Sequence, residues 1–398
     1  MKTILLLGGS AQQVVAIDTA KRLGYRTVLC DYLPDNPGQF HADRFYLTST
    51  TDMEAVLEVA KNEKIDGILA YASDPAAPTA AYVATKLGLP TNPYTSVDIL
   101  CNKDKFRYFL KNTGFNAPVA NGYSNVQDVM RDFGKYSLPI IIKPVDSSGS
   151  KGATVLRAWD SLQAALEYAF AFSRSQRIII EEYIEKKHSY LIGGDIFVVN
   201  GRIVLWGLLN CHRDNHVNPL VPVGKSYPLL LDEADRVNVE KTLQNIVDKL
   251  AIRFGAMNVE LIVSSDGKVW PIDIGPRNGG NMIPDLLGMI FDVDVVEMTV
   301  KTAMNGGLKE FSPCNGVPYY ATHNLHSDRN GVFKSVSFSS VLERKIVRCE
   351  IYKKRGDKVE YFDNASKAIG IIFMKFDCLE EMTRMLGNIN SHVCIELA

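Results

Sequence analysis

Two acidic residues and an arginine near the middle of the chain have the spacing of a metal and phosphate site. Glu260 lies in one apolar run, and Asp273 lies in the next run, four residues before Arg277. The short turn Ser265–Lys268 separates the runs, so we expect a β-hairpin that brings the two acids together. Magnesium prefers carboxylate and phosphate oxygens, and a guanidinium suits a phosphate. The spacing predicts a magnesium and phosphate site, but an ordinary hairpin with two solvated acids fits it equally well.

A lysine and a loop of small residues form a second chemical group. Lys143 ends an apolar strand at 139–144, and the loop follows at 146–152. Backbone N–H groups in such a loop can surround an anion, and an ammonium adds a point charge. The residues that we expect to contact phosphate are Ser147, Ser148, Gly149 and Gly152. The spacing is not that of a Walker A loop, and a flexible surface hairpin is the alternative.

A third group follows the strand Ile178–Ile180. Glu181, Glu182, Tyr183 and Ile184 combine polar groups with an apolar slot, and such an edge can bind an adenine. A buried strand that ends in a solvated acidic pair is an equally good interpretation.

Composition limits the class of protein. The chain has 398 residues, 46% hydrophobic and 22% charged, and a formal net charge of −1. This balance is typical of a globular protein and gives no electrostatic reason to expect nucleic acid or an anionic membrane as a partner. The seven cysteines have no paired spacing, and no apolar run approaches the length of a membrane span. We therefore expect a cytoplasmic protein that binds small molecules.

The order of strand and helix signals predicts an α/β protein with three regions. Residues 1–100 alternate strands and helices, which predicts a Rossmann-like parallel sheet, although the glycine fingerprint of a dinucleotide site is absent. Residues 101–310 form a two-part α+β region with an inserted lid at 118–184. Residues 311–398 return to short, β-rich pieces.

Taken in order, these groups resemble the ATP-grasp superfamily, in the branch of carboxylate–amine ligases, biotin carboxylase and carbamoyl-phosphate synthetase. The resemblance covers nearly the whole chain. It implies that Lys105 and Lys143 bind ATP phosphates under the mobile loop 146–152, and that residues 181–184 bind adenine. It also implies that Glu260 and Asp273 hold Mg²⁺ or Mn²⁺, and that Arg277 faces the transferred phosphoryl group.

Two positions depart from the family pattern. The usual motif Glu-x-Asn-Pro-Arg reads Asp273-Ile274-Gly275-Pro276-Arg277 here, so a frequent metal-binding asparagine is replaced by Gly275. Asn278 is the residue that could substitute for it. After the hinge, where relatives place an acid on the ribose, this chain offers Glu185 and then His188.

The resemblance implies phosphoryl transfer from ATP to a carboxylate, followed by attack of an amine or a thiol on the acyl phosphate. Arg277 and Lys143 would be catalytic because they neutralise charge on the phosphoryl group. The substrate, for which an amino acid is one candidate, would contact two segments, 211–219 and 277–281, and one C-terminal histidine. The residues expected to contact it are Arg213, His212, Asn278, Gly279 and His323.

Two other functions are compatible with the same residues. One is an ATP-dependent carboxylase that activates bicarbonate, as in biotin carboxylase or purine biosynthesis. The other is a nucleotide-binding protein without catalysis, which the replacement at Gly275 would permit. A homodimer is expected from the resemblance and from the prevalence of two-fold assemblies.

Overall fold

The computed structural model describes residues 1–147, 149–304, 308 and 318–398. Its N-terminal region is a parallel sheet in the order β3-β2-β1-β4. All five residues of β1 are buried, because helices cover both faces of this sheet. The strands are β1 (Thr3–Leu7), β2 (Arg26–Asp31), β3 (Arg44–Leu47) and β4 (Gly67–Leu69), and the helices are α1 (Val14–Arg22), α2 (Met53–Glu63), α3 (Ala77–Leu87) and α4 (Tyr94–Cys101).

Helix α5 (Lys103–Asn112) leads into a small antiparallel sheet with the order β5-β8-β6-β7. Two helices pack on one face of it and bury an aliphatic core that includes Ile140, Leu166 and Ile180. Its elements are β5 (Ala120–Tyr123), α6 (Val126–Asp132), β6 (Ile140–Pro144), β7 (Thr154–Leu156), α7 (Leu162–Ala171) and β8 (Ile178–Glu182).

The largest layer is an eight-stranded antiparallel sheet with the order β13-β12-β9-β10-β11-β14-β18-β16. Helix α8 covers one face, and α9 packs on the other. Its first part contains β9 (Leu191–Val199), β10 (Arg202–Asp214), β11 (Asn218–Tyr227), α8 (Glu233–Lys249), β12 (Phe254–Val263), β13 (Val269–Gly275), α9 (Ile283–Phe291) and α10 (Val295–Ala303).

The C-terminal strands belong largely to this same sheet. Strands β14, β18 and β16 extend it, while β17-β15-β19 form a small sheet of their own. The elements are β14 (Tyr319–Leu325), β15 (Gly331–Phe338), α11 (Ser340–Glu343), β16 (Ile346–Ile351), β17 (Lys358–Val359), β18 (Gly370–Phe376), α12 (Leu379–Gly387) and β19 (Val393–Leu397). The predicted fold class is confirmed, but the β-rich C-terminal region is joined to the central sheet through the β11–β14 pairing.

No helix in the described part of the chain is both long enough and apolar enough to cross a membrane.

Candidate active site

A cleft of about 1160 Å³ lies between the N-terminal loops, the small antiparallel sheet and one face of the eight-stranded sheet. Ser10 and Asp74 line it from the N-terminal region, Lys143 from the small sheet, and Glu260 and Asp273 from the large sheet. A pocket at the junction of several layers, with charged groups that converge, is the usual form of an active site. The cleft therefore defines the candidate site.

Glu260 and Asp273 are direct cross-strand partners in the hairpin of β12 and β13. The register shifts immediately after this pair, because Leu261 opposes Pro271 and leaves Ile272 as an additional residue. Such a β-bulge bends the strand and re-aims the side chains next to it. Directly opposed residues on one face have Cβ atoms about 5 Å apart. The predicted hairpin is thus present, and both carboxylates face the cleft.

The charge around Asp273 favours its ionised form. Burial would raise the pKa of this carboxyl, but Lys103, followed by Lys143 and Arg107, lowers it below its usual value. The ammonium of Lys103 lies 3.4 Å from Asp273 Oδ2. Glu260 is 3.4 Å from the guanidinium of Arg213. The carboxylates of Glu260 and Asp273 form a hard oxygen donor set, which fits magnesium or manganese.

Lys143 is held by a buried ion triad. Its ammonium contacts Glu181, and Arg107 Nε donates to the same carboxylate at 2.9 Å. Burial would raise the pKa of Glu181, but the two cations lower it to about 2. Burial lowers the pKa of Lys143. The triad fixes Lys143 at the cleft wall, and it also means that the side chain of Glu181 is committed to cations, contrary to its expected role in binding adenine.

Lys103 occupies the position that the sequence analysis gave to Lys105. Lys105 is 51% exposed, is ion-paired with Asp98 at 2.6 Å, and does not line the cleft. Lys103 lines the cleft and donates to the carbonyl of Ser147 at 3.0 Å. The two lysines are two residues apart on α5, which places them about 200° apart around the helix. Only one of them can face the cleft, and it is Lys103.

The hinge after β8 lies beside an apolar slot. Tyr183 and Ile184 line the cleft together with Ile141, Ile262 and Ile272. The strand ends at Glu182, so the backbone beyond it leaves the regular ladder. This geometry fits a flat, apolar ring that also needs hydrogen bonds from a backbone.

His188 is not available to a ribose. One ring nitrogen, Nδ1, lies against the carbonyl of Tyr190, and Nε2 accepts from the N–H of Val263 at 3.0 Å. An accepting Nε2 requires the neutral ring, and burial lowers the pKa of His188. This histidine fastens the hinge to β12, and it does not line the cleft.

The small-residue loop folds over the cleft. Ser147 donates to the carbonyl of Lys151 at 2.8 Å, and Ser150 donates to the carbonyl of Leu220 on β11 at 2.9 Å. Gly149 and Gly152 both have positive φ angles, which glycine adopts without strain. Ser147 and Gly149 line the cleft, Gly152 packs against Pro144, and Ser148 lies outside the described residues.

Arg277 is paired with an acid from the N-terminal region. Its guanidinium donates to Asp74 and, at 3.0 Å, to the carbonyl of Asn278. Burial opposes ionisation, but Asp74 raises the pKa of Arg277. A Cβ atom at Gly275 would lie 2.5 Å from Asp74 Oδ1. Gly275, which replaces the family's asparagine, therefore makes room for Asp74 to reach Arg277.

Two residues after Arg277 that were predicted to contact the substrate do not line the cleft. Asn278 is 1% exposed and borders a separate cavity of about 100 Å³, and its amide has no hydrogen-bond partner among the described residues. Gly279 donates its N–H to Asp195 at 2.8 Å and does not line the cleft. Burial raises the pKa of Asp195 to about 6. Neither residue is placed to contact a substrate, and Asn278 does not replace the missing metal ligand.

The remaining predicted contacts divide between the cleft and the core. Arg213 and His212 line the cleft, but His212 is bonded to Ser226 at 2.8 Å. Burial, with the charges of Lys225 and Arg213, lowers the pKa of His212 to about 4, so its ring is neutral near pH 7. His323 is 4% exposed and does not line the cleft, and burial lowers its pKa to about 3. His323 is a core residue and not a substrate contact.

Sequence reasoning missed Lys103, Arg107 and Asp74. The first two could have been found, because Lys103 and Arg107 are four residues apart on α5, on the side of the helix that also carries the buried Phe106 and Leu110. Asp74 had no such signal, since it follows a three-residue strand and reaches Arg277 from 203 residues away in the sequence.

Comparisons with known proteins give a sequence family for the middle of the chain. Residues 100–281 match the sequence family described as ATP-grasp domain. The carbamoyl phosphate synthase large chain of Thermotoga petrophila is 25% identical over 260 residues, which make up 64% of this chain and 23% of that relative. The chain thus spans less than a quarter of the length of this curated relative.

Two solved structures share the fold over the whole chain. The L-amino acid ligase of Bacillus licheniformis has a TM-score of 0.82 at 20% identity, covering 100% of this chain and 99% of that one. The biotin carboxylase domain of the Hydrogenobacter thermophilus 2-oxoglutarate carboxylase, a dimer in complex with MgADP and bicarbonate, has a TM-score of 0.73 at 16% identity, covering 100% and 90%. Residues 100–281 of this chain therefore carry an ATP-grasp domain.

Proposed function

We propose that this protein is an ATP- and magnesium-dependent ligase that joins a carboxylate to an amine or a thiol through an acyl phosphate. The observation that carries the proposal is the pairing of Glu260 with Asp273 at the bulge, within a cleft that also presents Lys103 and Lys143. Paired oxygen ligands beside fixed cations suit the transfer of a phosphoryl group. The whole-chain likeness to an L-amino acid ligase supports a carboxylate as the acceptor.

Each cation has a distinct part in this proposal. Lys143, which the triad holds, and Lys103, which is tied to the loop through Ser147, bind the ATP phosphates. Arg277 faces the transferred group and neutralises charge that develops on it. These groups are preorganised by ion pairs, so little rearrangement is needed when the reaction proceeds.

Magnesium or manganese, when bound, would be held by Glu260 and Asp273 and would neutralise negative charge on the phosphates. Adenine would occupy the apolar slot of Ile141, Ile262 and Ile272 against the backbone of residues 182–184. The loop at 146–152, bonded through Ser150 to β11, would keep water away from the acyl phosphate.

Arg213 is the residue that we assign to the substrate carboxylate. It lies beside Glu260 at 3.4 Å, so a carboxylate held there would be next to the phosphates. A cytosolic location and a homodimer stay predictions from the sequence, and the six described cysteines, all free, are compatible with a reducing compartment.

The test is magnesium-dependent release of ADP from ATP across a panel of amino acids, other carboxylates and bicarbonate, each with and without an added amine or thiol. Stimulation of ADP release by a carboxylate together with an amine or a thiol supports the ligase. Stimulation by bicarbonate alone supports a carboxylase instead of the ligase. Binding of ATP without any stimulated turnover across the panel argues for a protein that binds nucleotide without catalysis. The Arg213→Met variant tests the carboxylate assignment through the KM for the carboxylate, and Lys358→Met, at an exposed site that does not line the cleft, is the control.

A further inference from the structure

Strand β16 (Ile346–Ile351) is an edge of the eight-stranded sheet and carries an exposed apolar stripe. Among the strands that the structure describes, it pairs only with β18, so its outer side has no partner strand. The side chains of Val347, Cys349 and Ile351 alternate along it and are exposed, Val347 by 52% and Ile351 by 38%. Proteins usually protect a sheet edge with charged side chains, so an apolar stripe at an edge indicates an interaction surface.

The backbone of β16 offers hydrogen bonds on its outer side. Just after the strand, the N–H of Tyr352 donates to the carbonyl of Ile369 at 2.8 Å and so points towards β18. Successive backbone groups of a strand point to opposite sides, which directs the N–H and C=O groups of Cys349 and Ile351 away from β18. The strand contains no proline, so all of its outward N–H groups can donate to an added strand.

The charges of β16 match those of a second copy of the same strand. If two copies pair antiparallel about a two-fold axis at Cys349, Arg348 of each copy lies directly across from Glu350 of the other. Within one copy, Arg348 already donates Nε to Glu350 at 2.9 Å and Nη1 to Asp285 at 2.7 Å. Each Glu350 carboxylate would then lie between two guanidiniums. An axis at Arg348 or at Glu350 would place like charges opposite each other, so the charges favour the axis at Cys349.

We propose that β16 is a dimer interface, at which a second copy of this chain pairs antiparallel to the first about a two-fold axis at Cys349. The two eight-stranded sheets would join into one continuous sheet. In this register Val347 of each copy lies across from Ile351 of the other, so the exposed apolar stripe would be covered. No residue of β16 lines the cleft, so the dimer is independent of the proposed ligase function.

The irregularity of β16 sets the strength that we expect for this dimer. Its register with β18 shifts between Ile346 and Arg348, and the pairing is regular only from Arg348 to Ile351. A β-bulge at the start of the strand limits how far two copies can pair. We therefore expect a small interface and a dimer that dissociates on dilution, and not a permanent one.

Analytical ultracentrifugation of the full chain tests whether the dimer forms. Between about 1 and 100 µM, a range that covers weak interfaces, the mass should rise from 44.2 kDa towards twice that value. Glu350→Arg should stay a monomer, because four guanidiniums would then meet at the interface. Glu58→Arg, at an exposed site on α2, changes the charge by the same amount and should dimerise as the wild type does. A wild-type monomer at every concentration would overturn the proposal.

A mixture of two charge variants tests the pairing of Arg348 with Glu350. Arg348→Glu alone places four carboxylates at the interface and should also be a monomer. Mixed in equal amounts, Glu350→Arg and Arg348→Glu should form a heterodimer, since every guanidinium again faces a carboxylate. Two folded variants that stay monomeric in the mixture would contradict the pairing. Arg348 also contacts Asp285, so circular dichroism checks the fold. If Arg348→Glu does not fold, Cys349→Pro replaces it, because it removes an outward N–H and should abolish the dimer while β16 stays paired with β18.

Cross-linking locates the axis. The Cys349 side chains of two copies would lie directly opposite each other, with Cβ atoms about 5 Å apart. A short bismaleimide joins two thiols by forming one C–S bond at each ring, and each thiol proton passes to a ring carbon. Peptide mass spectrometry should find Cys349 linked to Cys349, and not to the other exposed cysteines, Cys378 and Cys394. A dimer without this link, or a dimer that persists in Glu350→Arg, would use another surface and would overturn the proposal.

Discussion

Replacing Glu181 with glutamine should reduce the free energy of unfolding by about 3 kcal/mol at pH 7. The variant removes a carboxylate that contacts both Lys143 and Arg107, and it leaves two cations buried. A pKa lowered from 4.5 to about 2 corresponds to about 3 kcal/mol of stabilisation. Removing one member of a buried ion pair costs about 3–5 kcal/mol in other proteins, which agrees.

Urea titration of both proteins at pH 7, 5 and 3 measures this effect. The folded-state pKa of Glu181 lies below its usual value, so its stabilisation is complete above pH 4.5 and is lost as the pH falls towards 2. The difference between wild type and Glu181→Gln should be equal at pH 7 and 5 and smaller at pH 3. Glu182→Gln, at the next and exposed residue, is the matched control and should cost less than about 0.5 kcal/mol. A loss below about 1 kcal/mol for Glu181→Gln at pH 7 would refute the triad as a source of stability.

Three further predictions concern the metal, the phosphates and pH. The double variant Glu260→Ala with Asp273→Ala should abolish magnesium-dependent release of ADP, and unchanged release would contradict the metal assignment. Lys103→Met should weaken binding of a fluorescent ATP analogue by about tenfold or more, while Lys105→Met should bind it as the wild type does. Equal affinities of the two variants would contradict the assignment of the phosphate contact to Lys103. Asp195 has a folded-state pKa of about 6, above its usual 3.8, so its contribution to stability is greatest below pH 3.8 and falls by about 3 kcal/mol as the pH rises through 6. In urea titrations between pH 4 and 7, Asp195→Asn should therefore lose less stability with rising pH than wild type, and parallel curves would contradict this.

The features that the sequence predicted well depend on short-range rules. A four-residue turn between two apolar runs was enough to pair Glu260 with Asp273, because hairpin strands must lie side by side. The prediction that Lys105 contacts phosphate was wrong because it considered position in a motif and not the face of the helix. Lys103 and Arg107 share the face of α5 that is directed to the cleft.

Other features depend on contacts between distant segments. The ring of His188 is hydrogen-bonded to the backbone of β12, and the ring of His323 is buried in the core. No local sequence pattern distinguishes such histidines from those that line a cleft. The reason for a glycine at position 275 is the carboxylate of Asp74, a residue distant in the sequence, which occupies the space that a side chain would fill.

The bulge at Ile272 also bears on aggregation by the addition of a strand to the sheet edge. Strand β13 is an edge of the eight-stranded sheet, and an exposed edge is a template on which another chain can add a strand. Here the edge contains Pro271, which has no N–H, and an extra residue that breaks the regular spacing. Arg107 donates to the carbonyl of Ile272 at 2.6 Å and occupies that acceptor. The irregularity that aims two carboxylates into the cleft thus makes the same strand a poor surface for aggregation.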